Sequence, residues 1–408
     1  MKSVRVEGTP NTGRLHYLDW LRVLAVLGVF YAHALNIYDS LYWRIRGGEE
    51  NAGLIVLVVF GTQWGMTLFF FLAGASAWFA LESRTSGQFI SERFKRLIIP
   101  FIVGFILLSP PQAYLLSTSQ GLYHGTFLQF IPSFFEHIHI SWNPQWIAAY
   151  SYHLWFLAFL FFVSLLTLPV LLLLRRKRGL AYIAWLAAFC SKPVGLFVFV
   201  VPVALIQIAL RAPFPGYQGW ADFFIWLAVY VYGFMLLADA RFTVAIQKQG
   251  KLAFFVGVIC LLTMVIANVA GVLSSWENIS NYTVGYVLYQ LLRSMTTWSW
   301  MIFVLYFGMN LLNFHNKIID YLNEAVLPFY VLHHPVIVVI AFYTIPWDMN
   351  LGIKFLFVST AALVATLVLY DLLIRRWNVM RWLFGMKPLE SHQPEQDQEP
   401  TLSPPLHT

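Results

Sequence analysis

Long apolar stretches separated by short polar connections run through most of the chain. Most of them have the 17–25 residues that a helix needs to cross the hydrocarbon core of a bilayer. Ten such stretches lie at residues 18–37, 53–81, 97–115, 153–174, 194–210, 220–238, 252–270, 285–307, 326–343 and 351–374. The pattern predicts an all-α fold, a polytopic integral membrane bundle of about ten transmembrane helices.

The basic residues of the loops are distributed unevenly between the two sides of this predicted bundle. With the N-terminus placed inside, twenty Lys and Arg residues fall in inner segments and four in outer ones. The outer four are Arg44, Arg46, Arg211 and Lys354. Cytoplasmic loops of membrane proteins carry such an excess. We therefore predict that both termini are cytoplasmic.

The composition agrees with a membrane protein. Of the 408 residues 59% are hydrophobic and 11% charged, and the mean hydropathy is +0.67. Soluble domains have about 25% charged residues. The net charge of +7 belongs to the loops, so the partner we expect is a lipid bilayer and no nucleic acid. Cys190 and Cys260 lie in apolar surroundings and form no metal or disulfide pattern.

Four segments outside the clear spans have their own character. Residues 1–17 are polar and lack a small-residue cleavage site, so we predict a cytoplasmic segment before a retained membrane anchor. Residues 179–191 are apolar but short, and we predict an interfacial helix there, with the span proper after Pro193. The aromatic and polar segment 116–152 is predicted to cap the outer face. Residues 386–408, rich in Pro, Gln and Glu, are predicted to form a disordered cytoplasmic tail.

The first predicted span carries ionisable residues, which are costly inside a membrane and therefore suggest function. Arg22 and His33 are eleven residues apart, so they share one face of a helix about three turns, or roughly 16 Å, apart. A histidine there suits a general base, because its ordinary pKa lies near neutrality. The structural alternatives are snorkelling for Arg22 and a packing hydrogen bond for His33.

The ninth predicted span contains His333, His334 and Pro335 in succession. Adjacent residues of a helix point about 100° apart, so we expect only one of the two histidines to face a given cavity. Proline removes a backbone N–H and so leaves a carbonyl free. Adjacent histidines are not the i, i+4 pair of many metal sites, and we expect no metal here. A kinked helix with packed histidines is the structural alternative.

Five more polar residues are candidate substrate contacts. Arg293 lies about two turns into the eighth predicted span, where a permanent charge needs a partner such as Asp19 or an anionic substrate. His153 begins the fourth span, where an interfacial anchor is the alternative. Arg93 and Arg96 are typical of a cytoplasmic loop, but they could also hold the phosphates of an anionic donor.

Several short blocks, taken in order, resemble those of the membrane acyltransferase-3 family. The spacing from Arg22 to His33 matches the Arg-x10-His motif of that family. The other similar blocks are LDWLR at 18–22, FFFLAG at 69–74, ERFKRLIIP at 92–100, HLWFL at 153–157 and FYVLHHP at 329–335. His333 matches the histidine of the family's Y-x-x-H block, and Ala73 stands where the family usually has serine. The small residues of FFFLAG also predict close helix packing. The resemblance covers about residues 14–380.

The resemblance implies that residues 18–385 form a membrane acyltransferase domain, with His33, Arg22 and His333 as the catalytic set. It also implies a cytoplasmic acyl-CoA donor, no bound cofactor, and a hydroxyl of a glycan or other extracytoplasmic acceptor. A bacterial inner membrane is the expected location. SYHLWFL and VLHHPVIVVIAFYTIP are similar to a subgroup that succinylates periplasmic glucans. Nothing in the sequence marks succinyl over acetyl.

Three functions are compatible with these residues. In an O-acyltransferase, His33 deprotonates the acceptor hydroxyl, and a cation or hydrogen-bond donor stabilises the thioester oxyanion. In a transporter or flippase of an anionic or acylated molecule, the same residues line the path, although the sequence shows no inverted repeat. A subunit that scaffolds glycan synthesis is the third. The oligomeric state stays open, a homo-oligomer included.

Overall fold

A computed structural model describes residues 15–37, 52–272 and 282–389, without the side chains of residues 52–59, 62 and 63. Every regular element in these ranges is helical. The α-helices are α1 (His16–Leu35), α2 (Ala52–Ser83), α3 (Ser86–Arg93), α4 (Ile99–Ser119), α5 (Phe127–Glu136), α6 (Gln145–Ser151), α7 (Trp155–Leu174), α8 (Lys177–Cys190), α9 (Val200–Arg211), α10 (Trp220–Ala238), α11 (Ala240–Val269), α12 (Val284–Leu311), α13 (Lys317–Thr344), α14 (Leu351–Leu369) and α15 (Asn378–Leu383). Two π-helical turns, Phe94–Ile98 and Tyr370–Ile374, and two 3-10 turns, Tyr152–Leu154 and Gly195–Phe199, connect some of them.

Each of the ten predicted spans coincides with a helix, and eight helices in the described ranges are long and apolar enough to cross a membrane. The protein is thus a polytopic helical membrane protein, as predicted. The two remaining helices differ from the prediction for separate reasons. The apolar helix Gly195–Arg211 is only 17 residues long, about 26 Å. Helix α12 has the length, but Gln290, Arg293 and several hydroxyl side chains make it more polar. The number of spans therefore stays a prediction.

Helices α2 and α10 form the tightest contact in the core. A Cβ added at Gly74 would meet the main chain of Tyr230, and one added at Gly233 would meet the main chain of Phe71. The two glycines thus let the helix backbones touch, which is how small residues drive packing between membrane helices. This confirms the close packing predicted from the FFFLAG block.

Helix α1 packs against α13 and α2. Two of its residues mark the two ends of the bundle. Its first turns lie beside the connection between α12 and α13, where Trp20 Nε1 donates a hydrogen bond of 3.0 Å to the Phe314 carbonyl. Arg22 lies near this end, which we call the Arg22 end. His33 lies in the last turn of α1, at the opposite end, which we call the histidine end.

Two segments predicted from composition form helices. The chain from 177 to 190 is a separate helix that ends before Pro193, as expected for the short apolar stretch. Within 116–152, Phe130 and Phe134 of α5 and Tyr152 of the 3-10 turn before α7 form a small core with Ala113 of α4 at the histidine end. The predicted N-terminal segment before residue 15 and the tail after residue 389 lie outside the described residues.

Candidate active site

Four histidines meet at the histidine end of the bundle. His33 comes from α1, His153 from the 3-10 turn before α7, and His333 and His334 from α13. The His33 ring centroid lies 5.5 Å from that of His333 and 4.7 Å from that of His334. The His153 ring lies 5.1 Å from His333 and 4.8 Å from His334. His153, His333 and His334 are buried, whereas His33 is partly exposed.

Pro335 explains how His153 is held. A proline has no N–H, so the carbonyl four residues earlier in the helix, that of Val331, loses its usual partner. His153 Nε2 lies 3.0 Å from this carbonyl oxygen. Because a carbonyl only accepts, Nε2 carries the proton and donates it, which leaves Nδ1 as the nitrogen with a lone pair. The carbonyl that the sequence predicted to be free thus orients a neighbouring histidine.

His333 is fixed by the backbone of its own helix. Its Nδ1 lies 2.7 Å from the Tyr330 carbonyl oxygen and 3.2 Å from that of Phe329, so Nδ1 carries the proton. Its Nε2 is therefore the lone-pair nitrogen. That atom is buried and has no hydrogen-bond partner in the ranges that the structure describes. A buried imidazole nitrogen with a free lone pair is suited to accept a hydrogen bond from a bound molecule.

His334 is oriented by a buried glutamine of α4. Gln112 Nε2 donates to the Leu108 carbonyl at 2.7 Å, which directs its Oε1 towards His334. His334 Nδ1 lies 2.5 Å from that oxygen and donates to it. His333 and His334 both lie beside the His33 ring, and neither lines the cavity described below, so the expectation that only one of them faces a given cavity stays a prediction. The ring of His33 lies between the directions of the two side chains and reaches both.

At the Arg22 end, Arg22 is held by side chains from three helices. Its guanidinium lies 3.2 Å from Asp19 Oδ1 in α1 and 2.9 Å from Ser76 Oγ in α2. It also lies 3.3 Å from Asn323 Oδ1 in α13, and Asn323 in turn donates to Asp19. This arrangement makes snorkelling an insufficient description of Arg22. The planar fork of arginine suits such simultaneous contacts.

Arg22 lines a cavity of about 630 Å³ that opens at this end. Ligand pockets typically have about 300–1,000 Å³. Six cationic residues line it, namely Arg22, Arg84, Arg93, Arg96, Arg381 and Lys387. Three acidic residues, Glu92, Asp320 and Glu324, also line it, so cations are in excess. The cavity is therefore suited to a ligand that carries several negative charges.

The cations of the cavity differ in whether a carboxylate compensates them. Arg84 pairs with Glu92 at 2.9 Å, and Arg381 pairs with Glu324 at 2.9 Å. Arg93, by contrast, lies over the Phe89 ring, 4.9 Å from its centroid. In the part of the chain that the structure describes, none of Arg93, Arg96 and Lys387 forms an ion pair with a carboxylate. These three cations are available to an anionic ligand.

Tyr330 joins the cavity to the histidines. It lines the inner part of the cavity together with Phe69 and Phe156. Its ring centroid lies 5.5 Å from that of His153 and 5.7 Å from that of His333, and its hydroxyl donates to the His153 carbonyl. Asn323 and His333 are ten residues apart on α13, roughly 15 Å. A long ligand could therefore place its charges at Arg22 and its other end beside the histidines.

The structure brings the predicted residues into two groups. His33, His153 and His333 form part of the histidine cluster, and Arg22, Arg93 and Arg96 line the cavity. Asp19 contacts the Arg22 guanidinium and does not line the cavity. Arg293 does not line it either, and its guanidinium lies 5.9 Å from the ring centroid of Tyr289. Asp19 thus orients Arg22. Arg293 belongs neither to the histidine cluster nor to the residues that line the cavity.

Sequence reasoning missed several residues of these groups. Gln112 and Tyr330 belong to the histidine end, and Ser76 and Asn323 to the Arg22 end. Sequence reasoning considered His334 only as the alternative to His333. A signal existed for Gln112, because an amide in the interior of an apolar span needs a partner.

In the described ranges, no group of three or more His, Cys, Asp or Glu residues has an arrangement that could hold a metal ion.

A helical membrane bundle in which Tyr330 lies between a cationic cavity and a cluster of four histidines defines an integral membrane protein with a candidate enzyme site. The family profile described as "Acyltransferase domain" matches residues 15–375, so the chain belongs to this family and is an acyltransferase. Among curated proteins it is similar to "Glucans biosynthesis protein C" of Escherichia coli SMS-3-5, with 24% identity over 92% of this chain and 95% of the relative. The proteins of that name from Escherichia coli O139:H28 and Escherichia coli K12 are 23% identical over the same shares. No solved structure matches the chain.

Proposed function

We propose that this acyltransferase moves an acyl group from acyl-CoA, bound from the cytoplasm of a bacterium, to a hydroxyl of a glycan or another acceptor outside the inner membrane. One observation carries the proposal. The same cavity is lined by six cationic residues and by Tyr330, whose ring contacts two histidines.

The donor fits the cavity by charge and by shape. Coenzyme A carries several phosphate charges, which Arg93 and Arg96 could bind together with the guanidinium of Arg22. The inner walls are apolar, with Phe69, Phe156 and Leu157, and suit an uncharged pantetheine arm. The thioester would then lie at Tyr330, beside the histidines. In this proposal acyl-CoA is a substrate and the enzyme uses no resident cofactor.

His33 is the proposed general base. It is the partly exposed member of the cluster, although its Nδ1 is buried, and it contacts both His333 and His334. His33 takes the hydroxyl proton as the oxygen attacks the thioester carbonyl carbon. The C–S bond then breaks, and the leaving thiolate takes the proton from the His33 imidazolium. The products are the ester and free coenzyme A, and the base is restored.

His333 and His153 support this step in different ways. The Nε2 of His333 can accept a hydrogen bond from the acceptor or from a protonated His33, because its Nδ1 is engaged with the Tyr330 carbonyl. His153 packs parallel to His334, with 9° between the ring planes, and thereby keeps it in place. Arg22 is assigned to donor binding, since it lies about three turns of α1 from His33.

The identities of the acceptor and of the acyl group can be proposed more specifically. The name of the curated relatives refers to glucans, which supports a glucan acceptor for this chain too. Succinyl and acetyl groups are both small enough for the histidine end, and we propose one of them as the acyl group.

The test is acyl transfer from radiolabelled acetyl-CoA and succinyl-CoA to a soluble glucan by the purified protein. Wild type should label the glucan. His33→Gln keeps a polar side chain but cannot act as a base, so its rate should fall about 10²–10⁴-fold. His124→Gln, on an exposed histidine outside both the cluster and the cavity, is the matched control. Full activity of His33→Gln would remove His33 from the chemistry. Release of labelled donor across vesicles without transfer would favour a transporter.

A further inference from the structure

The chain after α15 crosses the open end of the cavity. We call residues 384–389 the C-terminal strap. Gly385, Met386 and Lys387 of the strap line the cavity, together with Arg381 of α15. The sequence predicted a disordered tail from residue 386, but residues 386–389 are part of the described chain. Together with Arg381 of α15, the strap forms the part of the cavity wall that comes from beyond the last long helix, α14.

The strap is held against two walls of the cavity. Gly385 has a φ of +68°, in the left-handed region that favours glycine. A Cβ added there would lie 2.8 Å from the Arg96 carbonyl oxygen and 2.9 Å from the Leu327 side chain. The strap backbone therefore lies directly on the π-helical turn that carries Arg96. Further along, the Leu389 N–H donates to Asn378 Oδ1 at 2.7 Å, which closes the strap back onto α15.

Arg381 fixes the position of Lys387. Arg381 is buried, and its Nε donates a 2.6 Å hydrogen bond to the Lys387 carbonyl. Its Nη1 donates to Glu324 Oε1 at 2.9 Å and to the Arg375 carbonyl at 3.1 Å. The guanidinium of Arg381 is thus occupied by contacts within the protein. Glu324 is the neighbour of Asn323, which contacts Arg22, so α13 connects the strap to the Arg22 network.

Lys387 is the cation that the strap contributes to the cavity. It is exposed, lines the cavity and forms no ion pair with a carboxylate in the part of the chain described. Arg93 and Arg96 line the same cavity without carboxylate partners. Cations that share a cavity repel one another unless an anion lies between them. A phosphate group, with several strong acceptor oxygens, is the anion that such a set binds best.

We infer that the C-terminal strap completes the donor site by binding a phosphate group of the nucleotide through Lys387, with Arg381 as the positioning residue. The inference rests on acyl-CoA being the donor, as proposed above. It extends the donor site to a segment beyond the predicted membrane domain. The phosphate headgroup of an anionic lipid offers the same chemistry at a membrane surface, and the experiment separates the two sources.

The experiment measures binding of coenzyme A to the full-length protein in nanodiscs of phosphatidylcholine, which carries no net charge. Lys387→Ala should weaken binding about fivefold, as expected for loss of one exposed charge pair, and Lys387→Glu should weaken it further. Lys251→Ala, which removes an exposed lysine outside the cavity, is the control and should bind as wild type does. Size-exclusion profiles confirm that each variant is folded.

Arg381→Lys tests the positioning role, because lysine cannot make the same set of contacts. If Arg381 acts through Lys387, Arg381→Lys weakens binding and the double variant Arg381→Lys/Lys387→Ala is no weaker than Lys387→Ala. Additive losses in the double variant would contradict this role.

Three outcomes overturn the inference. Wild-type affinity in both Lys387 variants would exclude the strap and leave the proposed donor intact. Loss of binding of phosphatidylglycerol added to the Lys387 variants in these nanodiscs, with unchanged affinity for coenzyme A, would assign the strap to lipid. Failure of the wild type to bind coenzyme A at all would overturn the proposed donor and the strap's role together.

Discussion

Three histidines of the cluster each have one ring nitrogen fixed by a different acceptor. The acceptors are the Val331 carbonyl for His153, the Tyr330 carbonyl for His333 and the Gln112 amide oxygen for His334. Each bond decides which nitrogen keeps a lone pair. At the scale of single residues, the site therefore consists of preset neutral imidazoles around the more accessible His33. Such fixed tautomers are what proton transfer from a bound hydroxyl needs.

Gln112 gives the first prediction at this scale. Gln112→Leu removes the acceptor of His334 Nδ1 and leaves a buried donor unpaired, so acyl transfer should fall about tenfold. Gln112→Glu keeps an oxygen at the same position and should retain more activity than Gln112→Leu. The affinity for coenzyme A should be unchanged in both variants. Equal activity of Gln112→Leu and wild type in the labelled transfer assay would contradict the orienting role.

Arg22 gives the second prediction. Arg22→Lys keeps the charge but cannot reach Asp19, Ser76 and Asn323 together, since it lacks the planar fork. Binding of coenzyme A should weaken about tenfold, which corresponds to roughly 1.4 kcal/mol. Arg376→Lys, on an exposed arginine outside the cavity, serves as the control. If Arg22→Lys lowers thermal stability but leaves the affinity unchanged, Arg22 only ties three helices together.

The sequence was informative about single residues where spacing along one helix decides the geometry. Arg22 and His33 could be assigned to one face because 3.6 residues per turn relates them directly. The neighbours of His33 could not be found in this way, because contacts between α1, α4, α7 and α13 depend on how the helices pack. The 100° rule for His333 and His334 was correct for the helix, but it could not show that a third ring lies within reach of both.

At the scale of elements, the apolar pattern predicted the positions of the helices well, since burial in lipid requires each span to satisfy its own backbone. The interruptions were harder to predict. Pro193 marked the end of α8, whereas no residue type marks the π-helical turns Phe94–Ile98 and Tyr370–Ile374. Both turns lie near the Arg22 end, one carrying Arg96 and the other followed by Arg375. Such turns often occur at functional sites.

The contact between α2 and α10 gives a prediction about an element. Gly74→Ala places a methyl group against the main chain of Tyr230, where neither helix can yield without moving its backbone. We expect a destabilisation of about 1–3 kcal/mol, the usual cost of overpacking. Gly28→Ala is the matched control, because an added Cβ there meets nothing within 4 Å. It should be neutral or slightly stabilising, by up to about 1 kcal/mol. Thermal unfolding in detergent compares the two, and equal midpoints would contradict the close packing.

At the scale of the whole molecule, the chemistry is divided between the two ends of the bundle. The cationic cavity opens at the Arg22 end, where the start of α1 and the C-terminal strap both lie. At the histidine end, α5 contributes to the small core around Tyr152, and α6 leads directly into the turn that carries His153. A donor from one side and an acceptor from the other would meet at Tyr330 and the histidines.

The orientation of this bundle in the membrane is the prediction that connects its two ends to two compartments. The excess of basic residues places the Arg22 end in the cytoplasm, because twenty Lys and Arg residues fall on that side and four on the other. Reporter fusions after Arg178 and after Lys387 should therefore be active in the cytoplasm, and fusions within 120–145 should be active outside. A fusion after Ser119, where α4 ends, is the control for the start of this segment and should also be active outside. Cytoplasmic activity of fusions within 120–145 would contradict this orientation, because it would place the histidine end in the cytoplasm. Acyl-CoA would then have to enter at the histidine end and the acceptor at the Arg22 end.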